Sequence, residues 1–129
     1  MTLTADDVVA IQQLYAAYNH RIDFGSAEEW ADCFTPDAVF DSGYSVEKGR
    51  EALLAFHGTT RAMVPGIRHF ATNILIDGDD DTATGSAYLE ATTGFGADRT
   101  PIATGRYDDS LVRTDEGWRF VRRVMRPDG

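Results

Sequence analysis

The apolar pattern of this chain changes period once, and that change restricts the fold more than any other feature. Up to Met63 apolar residues recur at steps of three and four; after Val64-Pro65-Gly66 they alternate. The first spacing belongs to amphipathic helices and the second to strands with one buried face. Val64-Pro65-Gly66 divides the two regimes, because proline and glycine both interrupt a helix.

In the first regime Thr4 and Asp7 resemble a capping box, with Asp in place of the usual Glu. Val8, Ile11, Leu14, Tyr15, Tyr18 and Ile22 form one stripe, which predicts a half-buried helix from about Ala5 to Ile22 with a stop at Gly25. Ser26-Ala27-Glu28-Glu29 is a second capping box and predicts a short helix through Cys33, with Trp30 and Phe34 turned inward. Thr35-Pro36-Asp37 ends it. Ala38–Asp41 reads as a short strand and Ser42–Ser45 as a loop. A third helix runs from about Arg50 to Met63, with Leu53, Leu54, Phe56 and Met63 as its apolar members.

In the second regime four strands are expected, at about Ile67–Ile76, Thr82–Thr93, Ile102–Arg113 and Trp118–Met125. The links between them are short and rich in Gly and Asp, so neighbouring strands run antiparallel. The acidic link Asp77–Asp81 lacks the spacing and terminal Glu of a calcium loop and reads as a solvated turn. Helices followed by a run of strands define an α+β domain. Its natural form is a curved sheet whose concave face is closed by the helices, and the enclosed interior is the default ligand site.

Composition narrows the function classes. The 129 residues suit a single domain, and 43% apolar content supports a real core. A net charge of -9 disfavours nucleic acid and anionic membrane surfaces as partners. No apolar run reaches the roughly 20 residues of a membrane span. The first residues lack the pattern of a signal peptide, so a cytoplasmic protein is expected. Cys33 is the single cysteine, which excludes an internal disulfide and a cysteine zinc site; it reads as a small core residue.

Candidate chemistry centres on Arg68-His69-Phe70-Ala71-Thr72-Asn73. In a regular strand His69, Ala71 and Asn73 share one face, while Arg68, Phe70 and Thr72 share the other. The small Ala71 leaves room above it, so a concave face here would place a titratable base on a pocket floor. The bland alternative is a structural histidine with a hydrogen-bonding asparagine beside it. Alternation also places Arg119 and Arg123 on one face and Arg122 and Arg126 on the other. His20 and His57 read as exposed, and Trp118 and Phe120 as core.

Several segments in order carry a family resemblance: Ile22-Asp23-Phe24-Gly25, Trp30-Ala31-Asp32-Cys33-Phe34-Thr35-Pro36-Asp37-Ala38, Arg68–Asn73, Gly105-Arg106-Tyr107-Asp108-Asp109, and Gly117-Trp118-Arg119-Phe120-Val121-Arg122-Arg123. Together they resemble the nuclear transport factor 2-like superfamily in its SnoaL-like, polyketide cyclase-like branch. Within it the likeness is to the group of scytalone dehydratase and hexachlorocyclohexane dehydrochlorinase. The resemblance implies a cone-shaped α+β barrel with an Asp–His pair in its cavity. Asp23 and His69 match that pair, and Arg123 matches an arginine of the last strand. Tyr18 and Tyr44 stand nearest the cavity tyrosines of scytalone dehydratase. Phe56, Asn73 and Tyr88 complete the expected substrate-binding set.

A carboxylate bonded to one imidazole nitrogen fixes the tautomer and leaves the other nitrogen to take a proton. With no Ser or Cys nucleophile beside it, such a pair suits elimination or isomerisation of a small, mostly apolar cyclic molecule. Neither a metal nor an organic cofactor is required. The resemblance leaves two alternatives open: a non-catalytic small-molecule binding protein, and an assembly subunit like the small subunit of ring-hydroxylating dioxygenases. It also implies a homo-oligomer, dimer or trimer, formed through the convex sheet face.

Overall fold

The structure, a computed structural model, describes residues 2–129. Among these, three α-helices precede and flank one six-stranded sheet. Helix α1 spans Ala5–Asp23, α2 Ala27–Ala31 and α3 Arg50–Met63. Both capping boxes form as their sequences require. Thr4 Oγ1 accepts the Asp7 N–H at 3.1 Å, and Asp7 Oδ2 accepts the Thr4 N–H at 3.0 Å. Ser26 and Glu29 make the same reciprocal pair at 3.1 and 2.9 Å. Each thereby satisfies amide groups that a helix N-terminus otherwise leaves without partners.

The strands are β1 Phe34–Asp41, β2 Val46–Lys48, β3 Arg68–Asp79, β4 Thr82–Thr93, β5 Thr100–Thr114 and β6 Gly117–Pro127. They lie in the order β2-β1-β6-β5-β4-β3. The sheet is curved, mixed and open. β1 runs parallel to β6, and the other neighbours are antiparallel. Two expectations change here. α2 stops at Ala31 instead of Cys33, and β1 begins four residues early, at Phe34. Thr35-Pro36-Asp37 fits within the strand because the β1–β6 ladder is irregular between Phe34 and Val39, where proline's missing N–H is tolerated. The short β2 was not expected at all.

Alternation decides what faces the helices. In β4, Ala83, Gly85, Ala87, Leu89 and Ala91 are buried, while Thr84, Tyr88 and Glu90 are exposed. Three irregularities in the antiparallel ladders break this rule, one of them a shift in the β4–β5 register between Ala91 and Thr92. The β3–β4 register shifts between Thr72 and Leu75, and Asn73 takes a left-handed φ of 55°. The β5–β6 register shifts between Ser110 and Leu111, leaving Val121 as the extra residue between Phe120 and Arg122. A β-bulge reverses the facing of everything beyond it. Trp118, Phe120 and Arg123 therefore all turn inward, and Arg119 does not share a face with Arg123.

The core is aromatic. The ring of Tyr18 lies 5.6–6.4 Å from those of Trp30, Phe34, Phe40, Tyr107 and Phe120. These offsets are typical of edge-to-face packing. Cys33 is buried among them. Among the described residues no helix is long and apolar enough to cross a membrane.

Candidate functional site

A cavity of about 320 Å³ opens between the helices and the concave face of the sheet. Small side chains form its floor. His69, Ala91 and Ala103 lie side by side across β3, β4 and β5, and Leu89 pairs with Gly105 in the next row. Tyr18 and Ile22 of α1 wall one side, and Phe56, Thr60 and Met63 of α3 another. Tyr44, from the turn before β2, stands at the rim and is 77% exposed.

Asp23, the last residue of α1, meets His69 at the start of β3. Its Oδ1 lies 2.6 Å from His69 Nδ1, and its Oδ2 accepts the His69 backbone N–H at 2.9 Å. The carboxylate thus grips backbone and ring of one residue at once. Two heavy atoms 2.6 Å apart share a proton, so Nδ1–H donates and the ring orientation is fixed. Both side chains are nearly buried, at 10% and 6% exposure. His69 lines the cavity, and among the described residues its Nε2 has no hydrogen-bond partner.

The other candidate residues divide. Tyr18, Tyr44 and Phe56 line the cavity with His69. Asn73 does not: the bulge after Thr72 turns it to solvent, and Ile74 and Ile76 pack against the core in its place. Tyr88 does not either. It points outward from β4 and borders a groove on the convex face with Arg106 and Arg126. His57, expected at the surface, is buried, with Nε2 3.1 Å from the Arg21 carbonyl. It falls one helical turn after Leu53, on the inner face of α3.

Arg123 is fully buried but lies behind the cavity wall. Its guanidinium carbon sits 3.4 Å from the ring centroid of Tyr107 and 4.3 Å from that of Tyr18. Tyr15 and Phe120 complete the aromatic cage. Nε stands 3.1 Å from Asp109 Oδ1, an ion pair, yet off the axis that a hydrogen bond requires. All three guanidinium nitrogens lack a hydrogen-bond partner among the described residues. Tyr15 donates its hydroxyl to Asp109 Oδ2 at 2.5 Å. Burial pushes the Asp109 carboxyl above the usual aspartate range, against the opposing pull of Arg123 and Tyr15. Burial alone would lower the Arg123 pKa, but Asp109 and the tyrosines outweigh it and hold the guanidinium charged.

Tyr107 and Asp109 entered the sequence reading only within the Gly105–Asp109 segment, with no role of their own. The signal was present: Gly105, Tyr107, Asp109 and Leu111 are alternate residues of one strand, so a buried face for any of them implies it for all. Among the described residues no group of three or more His, Cys, Asp or Glu side chains is placed to hold a metal ion.

An open, curved α+β sheet with three helices over its hollow is the architecture of the nuclear transport factor 2-like class, whose fold is also described as cystatin-like. Residues 3–124 match the SnoaL-like domain, and the chain belongs to that family. The uncharacterised protein Rv2910c of Mycobacterium tuberculosis is 31% identical over 124 residues, covering 92% of this chain and 83% of that one. A solved protein of unknown function with a cystatin-like fold, from Nostoc punctiforme, superposes with a TM-score of 0.90 at 25% identity, covering 99% and 96% of the two chains. A protein from Novosphingobium aromaticivorans, provisionally named a scytalone dehydratase, gives 0.84 at 25% identity, covering 96% and 85%.

Proposed function

We propose that this protein is a cofactor-independent lyase or isomerase of the dehydratase kind, acting on a small, mostly apolar cyclic molecule. The observation that carries the reading is the double grip of Asp23 on His69, which leaves Nε2 free at the wall of a cavity. The provisional name of the Novosphingobium relative points the same way. At about 320 Å³ the cavity is at the small end of ligand sites, which run from about 300 to 1,000 Å³. Apart from its tyrosines, His69 is the one titratable side chain lining it among the described residues, which bring no fixed charge to the ligand there.

In the proposed reaction His69 Nε2 removes a proton from the carbon next to a ring carbonyl. The C–H electron pair moves into an enolate. It then forms the C=C bond as the C–O bond at the neighbouring carbon breaks. The leaving hydroxide takes the proton back from the imidazolium and departs as water. Asp23 holds the ring in the Nδ1–H tautomer and stabilises the imidazolium. A positioned base of this kind contributes about 10²–10⁴-fold to the rate.

The test is a panel of cyclic β-hydroxyketones, with dehydration followed by the absorbance of the conjugated product. His69→Gln is expected to lose turnover while retaining binding of the saturated ketone, measured by calorimetry. Turnover that survives this substitution would remove His69 as the base and leave a binding protein as the better reading.

A further inference from the structure

Asp23 stands where a helix holds its residues least firmly. It is the last residue of α1. The final carbonyls of a helix lack intrahelical partners, and the last turn frays. A carboxylate there also faces the negative end of the helix dipole, so its position gains nothing from the helix itself. Yet its 2.6 Å contact with His69 tolerates little movement. The support comes from α3. His57 and Arg61 lie four residues apart, on one face of that helix. His57 Nε2 stands 3.1 Å from the Arg21 carbonyl, and a carbonyl only accepts, so this nitrogen carries the proton and donates. Arg61 Nη2 donates to the Ile22 carbonyl at 3.2 Å and to the Gly25 carbonyl at 2.9 Å. One guanidinium nitrogen thus bridges the chain on either side of Asp23. A further contact joins the same two segments: the Arg68 guanidinium lies 4.0 Å from the centre of the Phe24 ring. Phe56, Thr60 and Met63 of α3 wall the cavity, so one helix serves both the cavity and the end of α1.

We propose that Arg61, assisted by His57, is a positioning residue for the Asp23–His69 pair: by bracing the carbonyls that flank Asp23 it sets the carboxylate against the imidazole and keeps the ring in the Nδ1–H form. The inference rests on the reading of Asp23 and His69 as a catalytic pair and adds what holds that pair in place. The hydrogen bonds of Arg61 go to backbone carbonyls, and Arg61 does not line the cavity, so it acts through Asp23 and not on the guest. Without the brace the end of α1 frays, the short contact lengthens for part of the time, and the ring proton is released to solvent or moves to Nε2. A misplacement of about 1 Å at a reacting group can cost about 10²-fold in rate. An exposed arginine outside the cavity therefore matters to the chemistry inside it.

The ring proton of His69 is the reporter. A proton held between a ring nitrogen and a carboxylate oxygen resonates far downfield and exchanges slowly with water. His57, with its proton on Nε2, is the internal reference. In Arg61→Ala the His69 proton is expected to move upfield and to exchange at least about tenfold faster, with the Nε2–H tautomer appearing in the ring ¹⁵N shifts. Arg61→Lys keeps a flexible cationic donor and should lie between the alanine variant and the native protein. Arg113→Ala controls for lost stability alone. It cuts the 2.8 Å ion pair with Asp7 at the other end of α1, and should lower Tm while leaving the His69 proton as it was. An Arg61→Ala protein that melts lower but keeps the native His69 signal overturns the proposal, for Arg61 is then a helix cap and nothing more. A lysine variant no nearer the native signal than the alanine one also overturns it, and so does an Arg113→Ala protein that disturbs His69 equally. Each arm reads a proton in the resting protein, so these results remain distinct from the test of His69 as a base.

Discussion

Replacing Asp23 by Asn tests the dyad at the level of single protons. The carboxylate accepts two N–H groups of His69, one from the backbone at 2.9 Å and one from the ring at 2.6 Å. An amide has one oxygen and one NH₂, so it can accept only one of them. The backbone N–H cannot move, whereas the imidazole can change tautomer. The amide oxygen therefore stays with the backbone, and its NH₂ faces Nδ1, which must become an acceptor. The ring proton then moves to Nε2, and the nitrogen facing the cavity becomes a donor unable to take a proton. A hydrogen bond to a charged group is worth about 1.5–3 kcal/mol. One such bond is lost and the other weakened, and with 10% and 6% exposure solvent screens little of it. The expected cost is about 2–3 kcal/mol, which for a chain of 129 residues lowers Tm by roughly 8–12 °C. Turnover should fall by about 10²–10⁴-fold. The assay is a long-range ¹⁵N–¹H correlation spectrum, simple here because there are three histidines. The native protein should show His69 as the Nδ1–H tautomer and the variant as Nε2–H. A variant that keeps Nδ1–H and melts within about 2 °C of the native protein would refute the argument.

Three other outcomes follow from particular contacts. A Cβ at Gly85 would overlap the Tyr15 hydroxyl, so Gly85→Ala should displace Tyr15 from Asp109 and cost about 1–3 kcal/mol by overpacking, read by urea denaturation. Arg113 and the Thr4 backbone hold the Asp7 carboxyl well below the usual range. Because the folded pKa is depressed, this stabilisation is complete above the unfolded aspartate value and is lost as pH falls through the folded one. Asp7→Asn should thus melt lower at neutral pH and lose less further stability on acidification, a difference visible in Tm against pH. The outward face exposes Phe70, Leu75, Tyr88 and Val121, and we propose that it buries against a second copy of the chain. Sedimentation should give a mass above 14.2 kDa that Leu75→Lys with Tyr88→Lys returns to the monomer; a monomeric native protein at high concentration would refute this.

The parts of the fold legible in the sequence are those specified locally. Thr4 with Asp7 and Ser26 with Glu29 fix helix starts because each box closes within one turn. The Thr114–Gly117 link fixes a hairpin because its residues suit a tight turn, whereas Asp77 and Gly78, expected in the turn before β4, pair within the β3–β4 ladder and the chain turns at Asp80-Asp81. The parallel pairing of β1 with β6 was hidden, since it joins distant parts of the chain and leaves no local mark. His57 shows a different failure. Its spacing from Leu53 places it on the buried face of α3, but its polar identity argued for the surface, and a backbone carbonyl at 3.1 Å settled the matter. Asn73 failed through backbone geometry. Asparagine tolerates the left-handed region, so it suits the bulge that turned it away from the cavity.

The site itself is written across the strands rather than along them. His69, Ala91 and Ala103 form one transverse row, and two small residues beside the imidazole are what hollow out the space above. Further in, Gly85, Asp109 and Arg123 form another. In that row the glycine admits Tyr15, Tyr15 caps the aspartate, and the aspartate faces the arginine across the strand pair. Each residue makes sense only beside its neighbours in the sheet. Neither row can be read until register is known, because a single extra residue, Val121, decides whether Arg123 turns inward or out. Without the bulge at Val121 the cation would stand on the convex face. With it, His69 and Arg123 lie in different rows of one sheet, the imidazole at the cavity and the guanidinium buried behind its wall.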